Sequence, residues 1–124
     1  MILGVGTDLV KVARIDRALS RKGERFARRI LRPEEMPAFL RSADPAAHLA
    51  KRFAAKEAAG KALGTGIGRI SWQAVEVFND DMGAPGLRFY DKGARRLALL
   101  GARSACLSIA DETDLALAFV VISR

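Results

Sequence analysis

The sequence contains almost no cysteine or histidine. Among its 124 residues, Cys106 is the only cysteine and His48 is the only histidine. One cysteine cannot form a disulfide within the chain, which is typical of proteins of the reducing cytoplasm. A zinc site built from Cys and His ligands is also excluded, because such sites need three or four of these side chains. Any bound metal must therefore be held by carboxylates, and these favour a hard ion such as Mg²⁺.

Long apolar runs are also absent. Half of the residues are hydrophobic, but no run approaches the roughly 18 apolar residues of a membrane-spanning helix. The N-terminus passes directly into Ile2-Leu3-Gly4-Val5, which predicts a strand and not a secretion signal. A chain of this length is expected to form one domain over residues 1–124. We therefore expect a cytoplasmic protein without a membrane partner.

Positive charge is concentrated in one segment. The formal net charge is +7, and the excess of basic residues between positions 11 and 32 accounts for all of it. Two interpretations are open, a basic nucleic-acid-binding module and a docking surface for an acidic protein. Nucleic-acid modules usually add aromatic stacking platforms, and only 6% of this chain is aromatic. The acidic protein explains the charge at least as well.

The basic segment has the periodicity of a helix. Val12, Ile15 and Leu19 share one face, and the arginines of the segment lie on the other side. Gly23 is expected to break this helix, and a second helical piece with the same arrangement follows it. The segment therefore predicts two helices that each present arginine to solvent.

An alanine-rich helix is predicted between Asp44 and Gly64. Asp44 can cap the free amides of a helix, and Pro45 suits the first helical position. The composition favours helix as far as Leu63, and Gly64 is expected to end it. The glycine-rich loop that follows is interpreted as a cap and turn, because phosphate-binding loops precede a helix and do not follow one.

One face of this helix passes from apolar to charged residues. The residues on that face, spaced four apart, are Leu49, Phe53, Glu57 and Lys61. Glu57 is expected at the margin of the core, near the helix C-terminus, where the macrodipole disfavours negative charge. A cation should neutralise it, and both Lys61 and a bound metal ion are candidates. The alternative is an ordinary solvated Glu–Lys pair.

Asp8 follows a strand that contains glycine. Met1–Thr7 is the predicted strand, and Gly4 and Gly6 allow another backbone or a ligand to come close. Asp8 would stand at the strand end, either as a functional carboxylate or as a cap for the next helix. Asp8 and Glu57 together would supply the one or two carboxylates that Mg²⁺ usually takes besides water and substrate phosphate.

The rest of the chain predicts four more strands and one more helix. The strands are expected at 73–78, 87–90, 106–110 and 115–122, and Asp91 is expected to cap the helix between the two hairpins. The element order is then roughly βαααββαββ. The predicted fold class is α+β, a single domain with a mainly antiparallel sheet and helices packed on one side.

Two stretches resemble the signature motifs of a known enzyme family. They are Gly4-Val5-Gly6-Thr7-Asp8-Leu9-Val10 and Arg52-Phe53-Ala54-Ala55-Lys56-Glu57-Ala58-Ala59-Gly60-Lys61-Ala62-Leu63-Gly64-Thr65-Gly66. Both are similar to motifs of the holo-acyl-carrier-protein synthase family of 4′-phosphopantetheinyl transferases, and the likeness extends over nearly the whole chain. The resemblance implies the family's fold and the transfer of the phosphopantetheine arm of coenzyme A to a serine of apo acyl carrier protein, with release of adenosine 3′,5′-bisphosphate, in fatty acid biosynthesis. It makes a nucleic-acid partner the less favoured alternative.

The resemblance also implies roles for individual residues. Asp8 and Glu57 would hold Mg²⁺ together with the pyrophosphate, and Glu57 and Lys61 would be catalytic. The serine proton would pass to Glu57 through a metal-bound water, or to a neighbouring group. Arg52, Lys61 and Gly64 would bind the coenzyme. The arginines that match the carrier-protein docking surface are Arg14, Arg21, Arg25 and Arg28, and family members are homotrimers with active sites between subunits.

The closing hairpin departs from the family pattern at one position. Many family members carry a histidine near the coenzyme's phosphates where this chain has Cys106. A thiol is a weak hydrogen-bond donor and is mostly uncharged near neutral pH. We interpret Cys106 as a small apolar strand residue, so the phosphate contacts are expected to come from Arg52, Lys61 or another basic side chain.

Overall fold

Strands from the two ends of the chain lie side by side in the main sheet. A computed structural model describes residues 1–124. The strands β1 (Ile2–Lys11), β4 (Ser104–Asp111) and β5 (Leu115–Ser123) form a three-stranded sheet in the order β1-β5-β4. The strands β2 (Val75–Asn79) and β3 (Pro85–Phe89) form a separate hairpin. Every pairing between strands is antiparallel, as predicted, but the strands divide into two sheets where one was expected.

Four helices separate β1 from β2, where three were predicted. They are α1 (Val12–Lys22), α2 (Glu24–Ile30), α3 (Met36–Arg41) and α4 (Pro45–Ala62), and α5 (Asp91–Leu99) follows β3. The additional helix is α3, which has Pro37 in its first turn, whereas the break predicted at Gly23, which adopts a φ of 71°, is confirmed by the separation of α1 from α2. Short 3₁₀ helices precede α3 at Pro33–Glu35 and β2 at Trp72–Ala74. None of these helices combines the length and the hydropathy that crossing a bilayer requires.

Helix α4 is the buried centre of the fold and lies across β1 and β5. Its predicted start is confirmed, since the Asp44 carboxylate accepts a hydrogen bond from the Ala47 N–H at 3.2 Å. Its predicted stop is also confirmed, because Gly64 adopts a φ of 78° just beyond the last turn. Most of its buried residues are alanines, and these short side chains let the helix axis approach the sheet closely.

Two glycines of β1 allow the strand to contact the α4 backbone directly. A Cβ atom at Gly4 would lie 2.0 Å from the Ala62 carbonyl oxygen, and one at Gly6 would lie 2.1 Å from the Ala58 carbonyl oxygen. Any side chain at either position would therefore push β1 away from α4. The expected role of these glycines is confirmed, and the contact brings Asp8 beside the last turns of α4.

Several element boundaries shift by a few residues from those predicted, and two of the differences involve aspartates. β1 does not end at Asp8 but continues to Lys11, because it pairs with β5 as far as Leu115. Asp8 lies inside a strand, and no side chain caps α1. Asp91 does not cap α5 either: it is the first residue of that helix, with a φ of 50°, and makes no cap hydrogen bond. Strand pairing decides the first boundary, and the hydrogen bond from the Tyr90 N–H to the Ala74 carbonyl, at 2.8 Å, anchors the start of α5.

Candidate active site

Asp8 and Lys61 meet where β1 crosses the end of α4. The Lys61 Nζ atom lies 3.2 Å from Asp8 Oδ1 and 2.8 Å from the Thr7 carbonyl oxygen. About half of the Lys61 side chain (52%) is exposed, against 17% of the Asp8 side chain. Lys61 therefore pairs with Asp8 and not with Glu57, and its ammonium group stays accessible to an anionic ligand.

Glu57 lies one turn before Lys61 on α4 and forms no ion pair. Its carboxylate accepts one hydrogen bond, from the Trp72 indole, whose Nε1 lies 3.3 Å from Glu57 Oε1. Burial raises the pKa of Glu57, the Trp72 hydrogen bond opposes this, and the nearby Asp8 carboxylate raises the pKa further. A half-buried carboxylate with a second carboxylate close by favours the binding of a cation.

The chemistry of this donor set fits Mg²⁺. No group of three or more His, Cys, Asp or Glu side chains comes together anywhere in the protein, so Asp8 and Glu57 are the two carboxylates available here. Mg²⁺ is commonly bound by one or two carboxylates together with water and substrate phosphates. The two side chains would thus hold this ion once a phosphate-bearing substrate completes its coordination.

A buried lysine that the sequence analysis did not single out lies next to the site. The Lys56 side chain is fully buried, and its Nζ donates to Glu35 Oε1 at 2.6 Å, the Ile30 carbonyl at 2.6 Å and the Trp72 carbonyl at 3.2 Å. Burial lowers the pKa of Lys56, and the Glu35 carboxylate opposes this effect. The spacing contained a signal, because Lys56 follows Phe53 by three positions and so shares its buried face.

Arg52 lies on another face of α4 and is not brought to Asp8 and Lys61. Its guanidinium donates to the Val77 carbonyl and, at 3.1 Å, to Asn79 Oδ1, so it binds β2. It also borders a separate open cavity of about 240 Å³. Its predicted contact with the coenzyme stays a prediction.

Gly64 begins the loop after α4, and that loop folds back on the helix. Its N–H donates to the Lys61 carbonyl at 3.0 Å, and the Gly66 N–H donates to the Gly60 carbonyl at 2.9 Å. Arg96 Nε donates to the Leu63 carbonyl at 2.8 Å and so satisfies a free carbonyl at the helix end. These contacts confirm the cap-and-turn interpretation, while the coenzyme-binding role of Gly64 stays a prediction.

The arginines predicted for partner binding are all exposed, Arg14 and Arg21 on α1 and Arg25 and Arg28 on α2, and we name these four side chains the basic helix surface. The Arg14 guanidinium lies over the Phe53 ring, 5.5 Å from its centroid. Arg14, Glu57 and Trp72 line the same groove, which has a volume of about 360 Å³. Through Arg14, the basic helix surface therefore reaches the groove that contains the candidate metal ligand Glu57.

Cys106 lies on the face of the main sheet that points away from α4. It is exposed and stands beside Val121, which pairs with Val5 on the other side. Asp8 instead pairs with the fully buried Ala118, because adjacent residues of a strand point to opposite faces. Within one chain Cys106 is thus separated from Asp8 by the sheet.

Comparisons with known proteins place the chain in a family. The model of the 4′-phosphopantetheinyl transferase superfamily matches residues 4–120. The holo-[acyl-carrier-protein] synthase of Halorhodospira halophila is 51% identical over 123 residues, which cover 98% of each chain.

The structure of the holo-[acyl-carrier-protein] synthase of Neisseria meningitidis matches 100% of both chains, with a TM-score of 0.91 and 44% identity, and confirms the α+β fold. The structure of the Bacillus anthracis holo-(acyl-carrier-protein) synthase in complex with coenzyme A (3′,5′-ADP) has a TM-score of 0.82 and 35% identity, and the match covers 100% of this chain and 99% of that one. The resemblance of the motifs is thereby confirmed, and the chain belongs to the holo-[acyl-carrier-protein] synthase family, which consists of enzymes of the 4′-phosphopantetheinyl transferase class.

Proposed function

We propose that this protein, acting as one domain over residues 1–124, moves the 4′-phosphopantetheine arm of coenzyme A onto a serine of apo acyl carrier protein. The serine oxygen forms a new bond to phosphorus, and the bond to the other half of the pyrophosphate breaks. The leaving group is adenosine 3′,5′-bisphosphate. The observation that carries the proposal is the meeting of Asp8, Glu57 and Lys61 at the contact of β1 with α4. The coenzyme A complex of the Bacillus anthracis relative supports coenzyme A as the donor.

The reaction must overcome the charge of the pyrophosphate. A neutral serine hydroxyl is a weak nucleophile, and the phosphate oxygens that surround the attacked phosphorus are negative. Asp8 and Glu57 would hold Mg²⁺, and the bound ion would polarise this phosphorus. The half-exposed Lys61 ammonium, oriented by Asp8 and the Thr7 carbonyl, offsets the negative charge that develops on the departing bisphosphate.

A group at the site must also accept the serine proton. Asp8 already accepts a hydrogen bond from Lys61, whereas Glu57 Oε2 has no donor in the protein. We therefore assign proton acceptance to Glu57 through a bound water, since Oε2 itself would face the Mg²⁺ ion.

The basic helix surface is the proposed docking site for the acidic carrier protein. Arg14 belongs both to this surface and to the groove that contains Glu57. A carrier protein bound to the arginines would thus present its serine beside the carboxylate that accepts the proton. Long-range attraction between the two proteins would raise their rate of encounter and would weaken in salt.

A homotrimer with active sites between subunits is part of the proposal. Large apolar side chains are exposed on the face of β1 and β5 that points away from α4: Val5, Leu9, Leu117 and Phe119. A contiguous apolar patch of this kind favours contact with another protein. A mass in light scattering near three times 13.4 kDa supports the trimer, and a monomer across micromolar concentrations contradicts it.

The activity is tested by mass spectrometry of the acceptor. The protein is incubated with coenzyme A, Mg²⁺ and apo carrier protein, and the carrier protein is expected to gain the mass of the phosphopantetheine arm. Matched reactions contain a carrier protein whose serine is replaced by alanine, or the variants Asp8→Ala and Glu57→Ala, and these should show no gain. An unmodified carrier protein over a range of salt concentrations contradicts the proposal, as does tighter binding of RNA or DNA than of carrier protein at physiological salt.

A further inference from the structure

Trp72 makes the only hydrogen bond that the protein donates to the Glu57 carboxylate. The indole Nε1 lies 3.3 Å from Glu57 Oε1. The Trp72 ring also packs against Phe53, one turn before Glu57 on α4, with ring centroids 6.1 Å apart and planes tilted by 41°. The indole is thus held against the same face of α4 that carries the carboxylate.

The backbone of Trp72 is tied to α4 by a second contact. The buried Lys56 ammonium donates to the Trp72 carbonyl at 3.2 Å and to Glu35 Oε1 and the Ile30 carbonyl at 2.6 Å each. These three bonds use all three donors of the ammonium group. Two consecutive residues of α4 therefore hold Trp72: Lys56 binds its backbone carbonyl, and Glu57 binds its indole N–H.

The residue after Trp72 is anchored as well. The side-chain amide of Gln73 donates to the Leu31 carbonyl at 2.8 Å, and the backbone carbonyl of Gln73 accepts a hydrogen bond from the Arg32 guanidinium. The short helix that begins at Trp72 is thus attached both to α4 and to the chain just after α2. These partly buried hydrogen bonds fix the backbone that carries the indole, while the contact with Phe53 holds the ring.

We infer that Trp72 is a positioning residue for Glu57, and that Lys56 acts through Trp72 by holding its backbone in place. The indole N–H occupies Glu57 Oε1 and leaves Oε2 without a protein donor, so one defined oxygen is presented to Mg²⁺. This inference rests on the proposed function, because it takes Glu57 as a ligand of that ion. Carboxylates that bind metals are commonly oriented by a hydrogen bond of this kind, and its loss typically weakens metal binding 10- to 100-fold.

The test is the affinity for Mn²⁺, used as a probe for Mg²⁺, in the presence of saturating coenzyme A and without carrier protein, so that no turnover occurs. Trp72→Phe keeps an aromatic ring but removes the N–H. We expect the Mn²⁺ dissociation constant, measured by electron paramagnetic resonance, to rise about 10-fold. Tyr90→Phe is the matched control, since it removes a 2.6 Å hydrogen bond to another carboxylate, that of Glu76, and should leave this constant unchanged. An unchanged constant in Trp72→Phe overturns the inference, even if that variant is less stable.

A measurement on the unmodified protein covers the case in which Trp72→Phe does not fold. Trp72 is the only tryptophan in the chain, so its fluorescence reports on this position alone. Mn²⁺, a paramagnetic quencher, is expected to reduce the emission at the concentrations at which it binds, and to have no such effect in Glu57→Gln. Emission that does not respond to bound Mn²⁺ overturns the inference.

The outcomes separate this inference from the proposed function. If the unmodified protein binds no Mn²⁺ and transfers no phosphopantetheine, the proposed function fails. If Glu57→Gln binds Mn²⁺ as tightly as the unmodified protein, the assignment of Glu57 as a ligand fails. If only Glu57→Gln loses binding while Trp72→Phe retains it in full, the ligand stands and the positioning role of Trp72 is wrong.

Discussion

The Lys61 ammonium lies 3.2 Å from the Asp8 carboxylate, although the two residues are 53 positions apart in the chain. They meet because Gly4 and Gly6 let β1 rest on the α4 backbone. Half of the Lys61 side chain is exposed, and ion pairs open to solvent contribute only about 0–1 kcal/mol to stability. We therefore expect the pair to contribute more to the transfer reaction than to the free energy of unfolding.

The first prediction follows from this exposure. Lys61→Ala should lower kcat/KM for transfer at least about 100-fold, which corresponds to about 2.7 kcal/mol of barrier, while the free energy of unfolding changes by less than about 1 kcal/mol. Steady-state kinetics and urea unfolding measure the two quantities. Lys92→Ala, which removes an exposed lysine of α5, is the control and should retain full activity. A loss of stability that matches the loss of activity would contradict the catalytic assignment.

The second prediction concerns the basic helix surface. The double variant Arg14→Glu with Arg21→Glu should raise the KM for carrier protein about 10-fold or more, because rim charges act on the encounter of two proteins. The KM for coenzyme A should hardly change, and the difference from the unmodified protein should shrink as salt is added. Reversal of Lys92 and Arg95, which are exposed on α5, is the matched control. Equal losses for both substrates would show that the arginines serve folding or the active site instead.

The third prediction concerns the buried pair of Lys56 and Glu35, whose charged atoms lie 2.6 Å apart with at most 1% of either side chain exposed. Lys56→Met should destabilise the protein by about 3–5 kcal/mol, because it leaves a buried carboxylate without its main partner. The double variant Lys56→Met with Glu35→Leu should recover much of this loss, since it removes both charges. Urea unfolding of the single and double variants measures the coupling. A single variant that loses less than about 1 kcal/mol contradicts the prediction.

The fourth prediction is a pH dependence of stability through His48. Burial, helped by the charges of Arg52 and Lys51, lowers the pKa of His48 from 6.5 to about 4. Between these values the unfolded chain binds a proton that the folded protein does not, so stability falls as the pH drops from 6.5 to about 4. His48→Gln should remove about 1 kcal/mol of this fall, a modest amount because the ring is only partly buried. An identical fall in both proteins, measured by urea unfolding at each pH, would exclude His48 as its cause.

The fifth prediction concerns Cys106. Cys106→Ala and Cys106→Ser should keep most of the activity, because the thiol is exposed on the sheet face away from α4. Cys106→His should tighten coenzyme A binding or leave it unchanged. Light scattering accompanies the kinetics, since this face is the proposed subunit interface. A folded, correctly assembled Cys106→Ala protein that is more than about 100-fold less active would show that the thiol takes part in the reaction.

Much of the fold could be predicted because its signals are local. The cap at Asp44, the stop at Gly64 and the break at Gly23 each depend on the backbone preferences of one or two residues, and all three are confirmed. The strands were found from alternation in short windows. The division into two sheets could not be predicted in this way, because it depends on which distant strands exchange hydrogen bonds.

The residues of the site could be predicted from the sequence, but several of their partners could not, because these partners lie far away along the chain. The motifs singled out Asp8, Glu57 and Lys61, but local spacing suggested Lys61 as a partner for Glu57, whereas the fold pairs it with Asp8. Arg52 belongs to the same motif, and yet the structure turns it toward β2. Helical position alone could not show which neighbouring elements each side chain would meet.

The sequence by itself determined the family and the central helix and singled out the two carboxylates that we propose as metal ligands, since these depend on residue types and on spacings of a few positions. Only the tertiary structure decided that Lys56 is buried and that Trp72 donates to Glu57, because these contacts join residues 15 to 26 positions apart. The physical reason is packing. A lysine in an alanine-rich helix is ordinarily solvated, and this one is buried because a carboxylate and two carbonyls from other segments converge on its ammonium group.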